Sequence, residues 1–207
     1  MLIIGAGGFA KQLIETISQL KLTENVSFYD DTSDIRTSVF NRFPIIKSEK
    51  EAIEFFEKGD ATFVIGVGDP KDRKILFNKF NQLNTLPVNL ISPQASVSDY
   101  VERIETGIAI LPGAVIEGGV ILSKGVLVNV GAIVTHETYV GEFSAISPGA
   151  ILLGECSIGS CTTIGAGAIV LPKIVIGKNV IIGAGAVVNR DVSDNSIMVG
   201  NPARKIN

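Results

Sequence analysis

From residue 110 to residue 188 an aliphatic side chain returns at every sixth position without an interruption. The series opens Ile110, Ile116, Leu122, Val128, Val134, Val140 and closes Ile176, Ile182, Val188. Four places after most of these stands a small or β-branched residue, among them Ala114, Ala132, Thr138, Ser144, Cys156, Thr162 and Ala186. Glycine is frequent one place before that, as at Gly113, Gly131, Gly149, Gly167 and Gly185. A period of six matches neither a helix nor a half-buried alternating strand. It matches a solenoid in which each hexapeptide supplies one short strand and one corner, and three hexapeptides close a triangular coil. The large and the small residue then point into a narrow prism, where bulk at both places would overpack. Glycine supplies the backbone freedom that some corners need. The expected fold over residues 88–198 is therefore a left-handed parallel β-helix, followed by a short tail at 199–207.

The outward positions carry a second pattern. The residue before each aliphatic faces out, and every third one shares a face: Val115, Ile133, Ile151, Ile169 and Val187. All five are β-branched and apolar, whereas the other two faces are mixed, with Tyr139 and Ser157 on one and Ala145 and Thr163 on the other. A stripe of this kind is costly to leave in water. It predicts a face packed against further copies of the chain, most simply in a homotrimer.

Residues 1–87 follow different rules. Short apolar runs at Leu2–Ile4, 26–29 and 62–68 alternate with helical stretches at 11–20, 49–56 and 71–81, which predicts a small parallel α/β domain of Rossmann-like type. The turn Gly5-Ala6-Gly7-Gly8-Phe9-Ala10 joins the first strand to the first helix, and Asp30-Asp31 ends the second strand. A glycine turn opening a helix lets main-chain N–H groups approach a phosphate, and an acid at a strand end accepts hydrogen bonds from a sugar or base. Gly66-Val67-Gly68 ends a third strand and belongs at the same sheet edge. The predicted ligand of this pocket is a nucleotide, and a ligand-free tight turn is the alternative reading.

Net charge is −3 and Lys and Arg are not clustered, which speaks against nucleic acid as a partner. The apolar opening Met1–Ile4 is too short for a signal peptide or a membrane span, so no membrane insertion is expected. Cys156 and Cys161 form no CxxC pair, which suits a reduced cytoplasmic chain in which both are packing residues.

The single histidine, His136, is followed by Glu137 at a corner of the repeat, with Glu137 standing where many other repeats have glycine. That corner follows the strand bearing Ile133. An imidazole and a carboxylate thus lie at the rim of the predicted subunit face. A neutral imidazole takes a proton from an amine or hydroxyl near neutral pH, and the carboxylate steadies the imidazolium that forms. A main-chain N–H such as that of Gly154 suits an oxyanion. A zinc site built from histidines is not expected, because catalytic zinc is usually held by three protein ligands at an open position.

The hexapeptide run, the His136-Glu137 corner and the ending Val199-Gly200-Asn201-Pro202-Ala203-Arg204 resemble the hexapeptide-repeat acetyltransferases. With Gly5-Ala6-Gly7-Gly8-Phe9 and Asp30-Asp31, nearly the whole chain is similar to the sugar acetyltransferases grouped with the sialic acid O-acetyltransferases. Related members N-acetylate nucleotide-linked 4-amino sugars in bacterial glycan pathways. The resemblance implies acetyl-CoA as donor, a trimer with sites between neighbouring helices, His136 as general base and Glu137 as its partner. It places the nucleotide sugar against Gly7, Gly8, Phe9, Asp30, Asp31 and Gly68. It places acetyl-CoA along Ala145, Gly154, Ala166 and Ala184 towards Pro202 and Arg204. The family often has a second histidine where this chain has Ala145, and a histidine in the glycine turn where it has Phe9.

Transfer of acetyl to an amine of a nucleotide-linked sugar is the reaction expected. O-acetylation of a sugar such as sialic acid uses the same base and is the alternative. A non-catalytic β-helix scaffold and an NAD-dependent oxidoreductase are the alternatives from other classes, the latter leaving the repeat unexplained.

Overall fold

The computed structural model describes residues 1–32, 37–59 and 61–206. The chain divides into two compact units, Met1–Leu90 and Ile91–Asn207.

The first unit is a six-stranded sheet with three helices. In chain order its elements are β1 (Leu2–Ile4), α1 (Gly8–Gln19), β2 (Ser27–Tyr29), β3 (Ser38–Val39), β4 (Phe43–Ile46), α2 (Glu49–Lys58), β5 (Thr62–Ile65), α3 (Pro70–Asn81) and β6 (Leu86–Pro87). The strand order is β3-β4-β2-β1-β5-β6, parallel except where β3 meets β4. Leu2, Ile3 and Ile4 are buried because β1 is central and covered on both faces. Leu13 and Ile17 from α1 and Phe28, Phe63 and Phe80 complete the core, with Tyr29 and Phe80 edge-to-face at 4.9 Å. The chain builds outward from β1 through β2 to β4, then crosses to β5 on the other side. That reversal leaves a crevice outside the carboxyl ends of β1 and β5, the usual ligand site of such sheets.

Three details differ from the sequence reading. Helix α1 begins at Gly8, three residues earlier than expected, because the glycine turn itself runs into the first helical turn. Strand β5 stops at Ile65, leaving Gly66–Gly68 as a loop at the sheet edge. The β3–β4 hairpin is an addition to that reading: β3 has only two residues, and β4 carries Pro44, opposite Ser38.

The second unit is the parallel β-helix. Two-residue strands stack into three sheets with a register of 18 residues, for example Val115 beside Ile133, Ile133 beside Ile151 and Ile151 beside Ile169. The three faces carry Ile133, Tyr139 and Ala145 respectively. The aliphatic series from Ile110 to Val188 points inward, each member at most 1% exposed. The outward stripe Val115, Ile133, Ile151, Ile169 and Val187 is partly exposed at every member.

The small inward residues do more than leave room. Where the inward residue one coil below is alanine, the corner closes on itself, as in Ala186 N–H to Gly183 C=O at 3.2 Å above Ala168 and Ala168 N–H to Gly165 C=O at 3.0 Å above Ala150. Where it is polar, the side chain reaches into the next coil's corner. Ser144 Oγ donates to Gly159 C=O at 2.7 Å and accepts from Thr162 N–H at 3.0 Å. Thr162 Oγ1 repeats the arrangement with Gly177 C=O at 2.8 Å and Val180 N–H at 3.1 Å. Cys156 Sγ donates to Leu171 C=O at 3.1 Å, and burial pushes its thiol pKa up, which keeps the donor protonated.

Beyond Val188 the solenoid is closed by Ile197–Val199 and Arg204–Lys205, paired antiparallel, with Ala203 N–H on Val187 C=O at 2.8 Å. Among the described residues no helix is long and apolar enough to cross a membrane.

Candidate active site

The first cluster of chemistry lies at the crevice of the N-terminal unit. A cavity of about 530 Å³ is walled by the β1–α1 turn, the end of β2, the loop after β5 and one side of α3. Gly7, Gly8, Phe9, Asp30, Asp31 and Gly68 all line it, so the structure brings together every residue assigned to the nucleotide sugar. Tyr29, Thr32, Asp72, Ile75 and Leu76 line it as well and were not foreseen. The α3 contribution follows from Gly66-Val67-Gly68-Asp69: Asp69 caps α3 through Lys71 N–H and Asp72 N–H, which turns the helix's first two turns towards the cavity.

The glycines of the crevice fall into two kinds. Gly66 is demanded by packing, since a β-carbon there would stand 2.6 Å from Ala10 Cβ and 3.0 Å from Ile3 Cγ2. Gly5 has φ +108° and abuts Val67, so the turn itself requires it. Gly7, Gly8 and Gly68 have neither constraint: nothing lies within 4 Å of where their β-carbons would be. What these three leave is open space beside main-chain amides. Helix α2 is capped by Ser48 and α3 by Asp69, but α1 starts from Gly7 without a side-chain cap. Its first N–H groups need an acceptor from elsewhere, and they open on the cavity.

The two acids are held in place. Asp30 Oδ1 accepts from the N–H and hydroxyl of Thr32 at 3.0 and 2.7 Å, and Asp31 Oδ2 accepts from the Tyr29 hydroxyl at 2.8 Å. Each carboxylate keeps its other oxygen. Among the lining residues there is no Lys or Arg, so an anionic ligand would rely on main-chain amides.

The second cluster is the His136 corner. The corner Thr135-His136-Glu137 follows the Ile133 strand, and Leu153-Gly154-Glu155 lies one coil above it. The His136 imidazole lies against Gly154, so that a β-carbon there would collide with Cε1 and Nε2. Gly154 is thereby buried, while the His136 side chain remains 59% exposed. Glu155 N–H donates to His136 C=O at 3.0 Å, which locks the two corners together. Glu137 has φ +55°, the left-handed conformation supplied by Gly119 in the coil below. Its Oε2 stands 4.0 Å from His136 Nδ1. The Gly154 N–H has no acceptor among the described residues.

The residues assigned to the cofactor do not gather at one place within one chain. Gly154 is at the His136 edge of the Ile133 face, whereas Ala166 and Ala184 are exposed corner residues at its opposite edge. Pro202 and Arg204 are exposed in the closing segment, and Ala145 lies on another face with 5% exposure.

Comparison with known proteins bears on both units. The PglD N-terminal domain family matches residues 1–80, and the bacterial transferase hexapeptide (six repeats) family matches residues 155–190. The fold is similar to the acetyltransferase domain of PglB from Neisseria gonorrhoeae in complex with acetyl coenzyme A. That match has 31% identity and a TM-score of 0.89 over 99% of this chain and 98% of that one. PerB from Caulobacter crescentus, in complex with CoA and GDP-perosamine, matches with 31% identity and a TM-score of 0.92 over 100% of this chain and 96% of that one. WeeI from Acinetobacter baumannii matches with 26% identity and a TM-score of 0.89 over 99% and 98%. No curated protein sequence matched the chain.

Proposed function

Since this chain belongs to the hexapeptide-repeat N-acetyltransferases of nucleotide-linked amino sugars, we propose that it transfers acetyl from acetyl-CoA to an amine of such a sugar, with His136 as general base. The observation that carries the reading is the His136 ring held over Gly154, which puts a proton acceptor beside an amide with no other acceptor among the described residues.

The chemistry follows from that pairing. An amine nitrogen attacks the thioester carbonyl carbon while His136 removes its proton. The Gly154 N–H donates to the oxyanion, and Glu137, 4.0 Å from Nδ1, stabilises the imidazolium. Collapse of the tetrahedral intermediate expels the CoA thiolate, which recovers the proton from the imidazolium. No acyl-enzyme is formed. The nucleotide sugar occupies the cavity lined by Gly7, Gly8, Phe9, Asp30, Asp31 and Gly68. Its diphosphate faces the uncapped start of α1, and its sugar or base donates to the acids.

The split of the cofactor residues supports a homotrimer. Gly154 of one copy and Ala166 and Ala184 of another can line one acetyl-CoA, because they occupy opposite edges of the apolar Ile133 face. Packing of that face would cover Val115, Ile133, Ile151, Ile169 and Val187. An acetyl-CoA-dependent reaction and two free cysteines fit the cytoplasm.

The test is CoA release from acetyl-CoA with UDP-, GDP- and dTDP-linked 4-amino sugars and with free sialic acid, in the wild type and in His136→Ala. Turnover on an amino sugar that disappears in the variant supports the reading. Turnover on sialic acid alone moves the acceptor to a hydroxyl. Undiminished turnover in His136→Ala removes the base.

A further inference from the structure

Glu117 lies on the same corner column as His136, one coil below, and 19 residues earlier in sequence. Its Oε2 accepts a hydrogen bond from the His136 main-chain N–H at 2.9 Å. The neighbouring amide, Glu137 N–H, is taken by Gly118 C=O at 3.1 Å, and His136 C=O by Glu155 N–H at 3.0 Å. The His136 peptide is therefore tied to the coil below and the coil above, and the lower tie to its own N–H is a side chain. Without that acceptor the N–H of an exposed corner would turn to water, and the His136 peptide would be held only by the Glu137 N–H and Glu155 N–H bonds, which leave it room to tilt. The ring that rests on Gly154 would move with it.

We propose that Glu117 is a positioning residue for the acetyl transfer, fixing the His136 imidazole over Gly154 through the hydrogen bond to the His136 N–H. The inference rests on the proposed function, and it names a residue outside the His136-Glu137 pair.

The same device occurs elsewhere without a base beside it. Glu105 Oε2 accepts from Lys124 N–H at 2.8 Å, again from one coil to the next at the middle residue of a corner. Glu105 also pairs with Arg103 at 3.4 Å, whereas Glu117 pairs with no cation among the described residues. Glu105→Ala is thus an internal control: it removes an equivalent main-chain tie from a corner that carries no imidazole.

His136 is the chain's one histidine, so its Cε1–H resonance in a ¹³C-histidine-labelled sample needs no assignment. That signal reports the ring's seat against Gly154 whether or not an acceptor sugar is in hand. The experiment follows it, together with kcat and KM for acetyl-CoA, in four variants: Glu117→Ala, Glu117→Gln, Glu117→Asp and Glu105→Ala. In Glu117→Ala the resonance moves towards that of free histidine, and kcat falls about tenfold or more with KM nearly constant, because a small misplacement of a reacting group is costly. Glutamine keeps an acceptor at the same reach and restores both. Aspartate keeps the charge but withdraws the acceptor, and restores neither. Glu105→Ala moves neither. The proposal is overturned if Glu117→Ala leaves the resonance and kcat unchanged, if Glu105→Ala alters them equally, or if aspartate rescues where glutamine does not. Absence of turnover in the wild type would count against the acetyl transfer alone, because the resonance series would still read the Glu117 tie.

Discussion

The imidazole of His136 rests against the α-carbon of Gly154, one coil above it, and occupies the space where a β-carbon would project. The contact can exist only because residue 154 is glycine. Its φ is not in the left-handed region, so alanine fits the backbone there and collides only with the ring. The ring is 59% exposed and has solvent into which to swing. Gly154→Ala is therefore expected to fold and to melt within a few degrees of the wild type. Displacing the proposed base should lower kcat on the order of a hundredfold. Thermal melting and CoA release, measured side by side, check this; an active Gly154→Ala variant would mean that the ring works from another position.

Glu137 stands in the conformation that glycine holds at Gly119 one coil below. A left-handed non-glycine residue costs about 1–2 kcal/mol, offset in part by the greater freedom glycine has when unfolded. Glu137→Gly is thus expected to leave stability equal or raise it by up to about 1 kcal/mol. The carboxylate 4.0 Å from His136 Nδ1 disappears with it, so kcat should fall by about tenfold or more. Urea unfolding and steady-state kinetics on one preparation would read both. A loss of stability with activity intact would reverse the assignment of Glu137 from the site to the scaffold.

Gly66 and Gly68 stand two residues apart and should respond in opposite ways. A β-carbon on Gly66 meets Ala10 and Ile3 across the α1–β1 packing, so Gly66→Ala is expected to destabilise the fold by about 1–3 kcal/mol. Gly68 has nothing within 4 Å, and Gly68→Val adds bulk only to the cavity. Its melting temperature should be nearly that of the wild type, with KM for the nucleotide sugar raised severalfold and KM for acetyl-CoA unchanged. A Gly68→Val variant that binds the nucleotide sugar normally would place the ligand elsewhere.

These contrasts show which parts of the molecule the sequence announces. The β-helix is legible because its inward positions recur at a fixed spacing, so that Ile110 to Val188 define the prism before any contact is known. The His136-Glu137 corner is legible because it breaks the glycine habit of the repeat with the chain's one histidine. The crevice residues are legible because Gly7, Asp30 and Gly68 end neighbouring parallel strands or follow directly on them. Contacts between coils are a different matter. Glu117 and His136 are 19 residues apart, and an acid at a corner reads as a solvated charge until the stacking of coils is seen. Ser144, Cys156 and Thr162 likewise read as small packing residues, because composition does not reveal that their side chains serve corners 15 residues on. The β3–β4 hairpin escaped for a local reason: two residues and a proline-broken strand carry no period to detect.

Thr162 tests the role of those inward polar groups. Its Oγ1 bridges Gly177 C=O and Val180 N–H, the pair that bond directly where the coil below carries alanine, such as Gly183 and Ala186 above Ala168. Valine has nearly the same shape and neither donates nor accepts. Thr162→Val should leave the buried Val180 N–H and the part-buried Gly177 C=O unpaired and cost about 2–3 kcal/mol. Thr162→Ala should cost less, because the vacated space lets the corner close on itself. Equal stability of all three by urea denaturation would show that the bridge is not a stabilising contact.

Tyr29 ties the acid Asp31 to the wall of the crevice proposed for the nucleotide sugar and gives the fold a dependence on alkaline pH. The ring is buried, and its hydroxyl donates to Asp31 Oδ2 at 2.8 Å. Burial first, and the carboxylate second, push the phenol pKa above its ordinary value, because both oppose a phenolate. The sign of the linkage follows: a raised folded pKa contributes stability in full below the unfolded value of about 10, and that contribution is lost as pH rises through the folded value. Tyr29→Phe has no such proton. Its urea midpoint should therefore fall less than that of the wild type between neutral pH and a pH above about 10. At neutral pH the same variant frees the Asp31 carboxylate to rotate, which should raise KM for the nucleotide sugar about three- to tenfold, the equivalent of one hydrogen bond, while kcat holds. Parallel alkaline slopes for the two proteins would mean that the phenol keeps its ordinary pKa in the fold. An unchanged KM would mean that Asp31 does not need Tyr29 to meet its ligand.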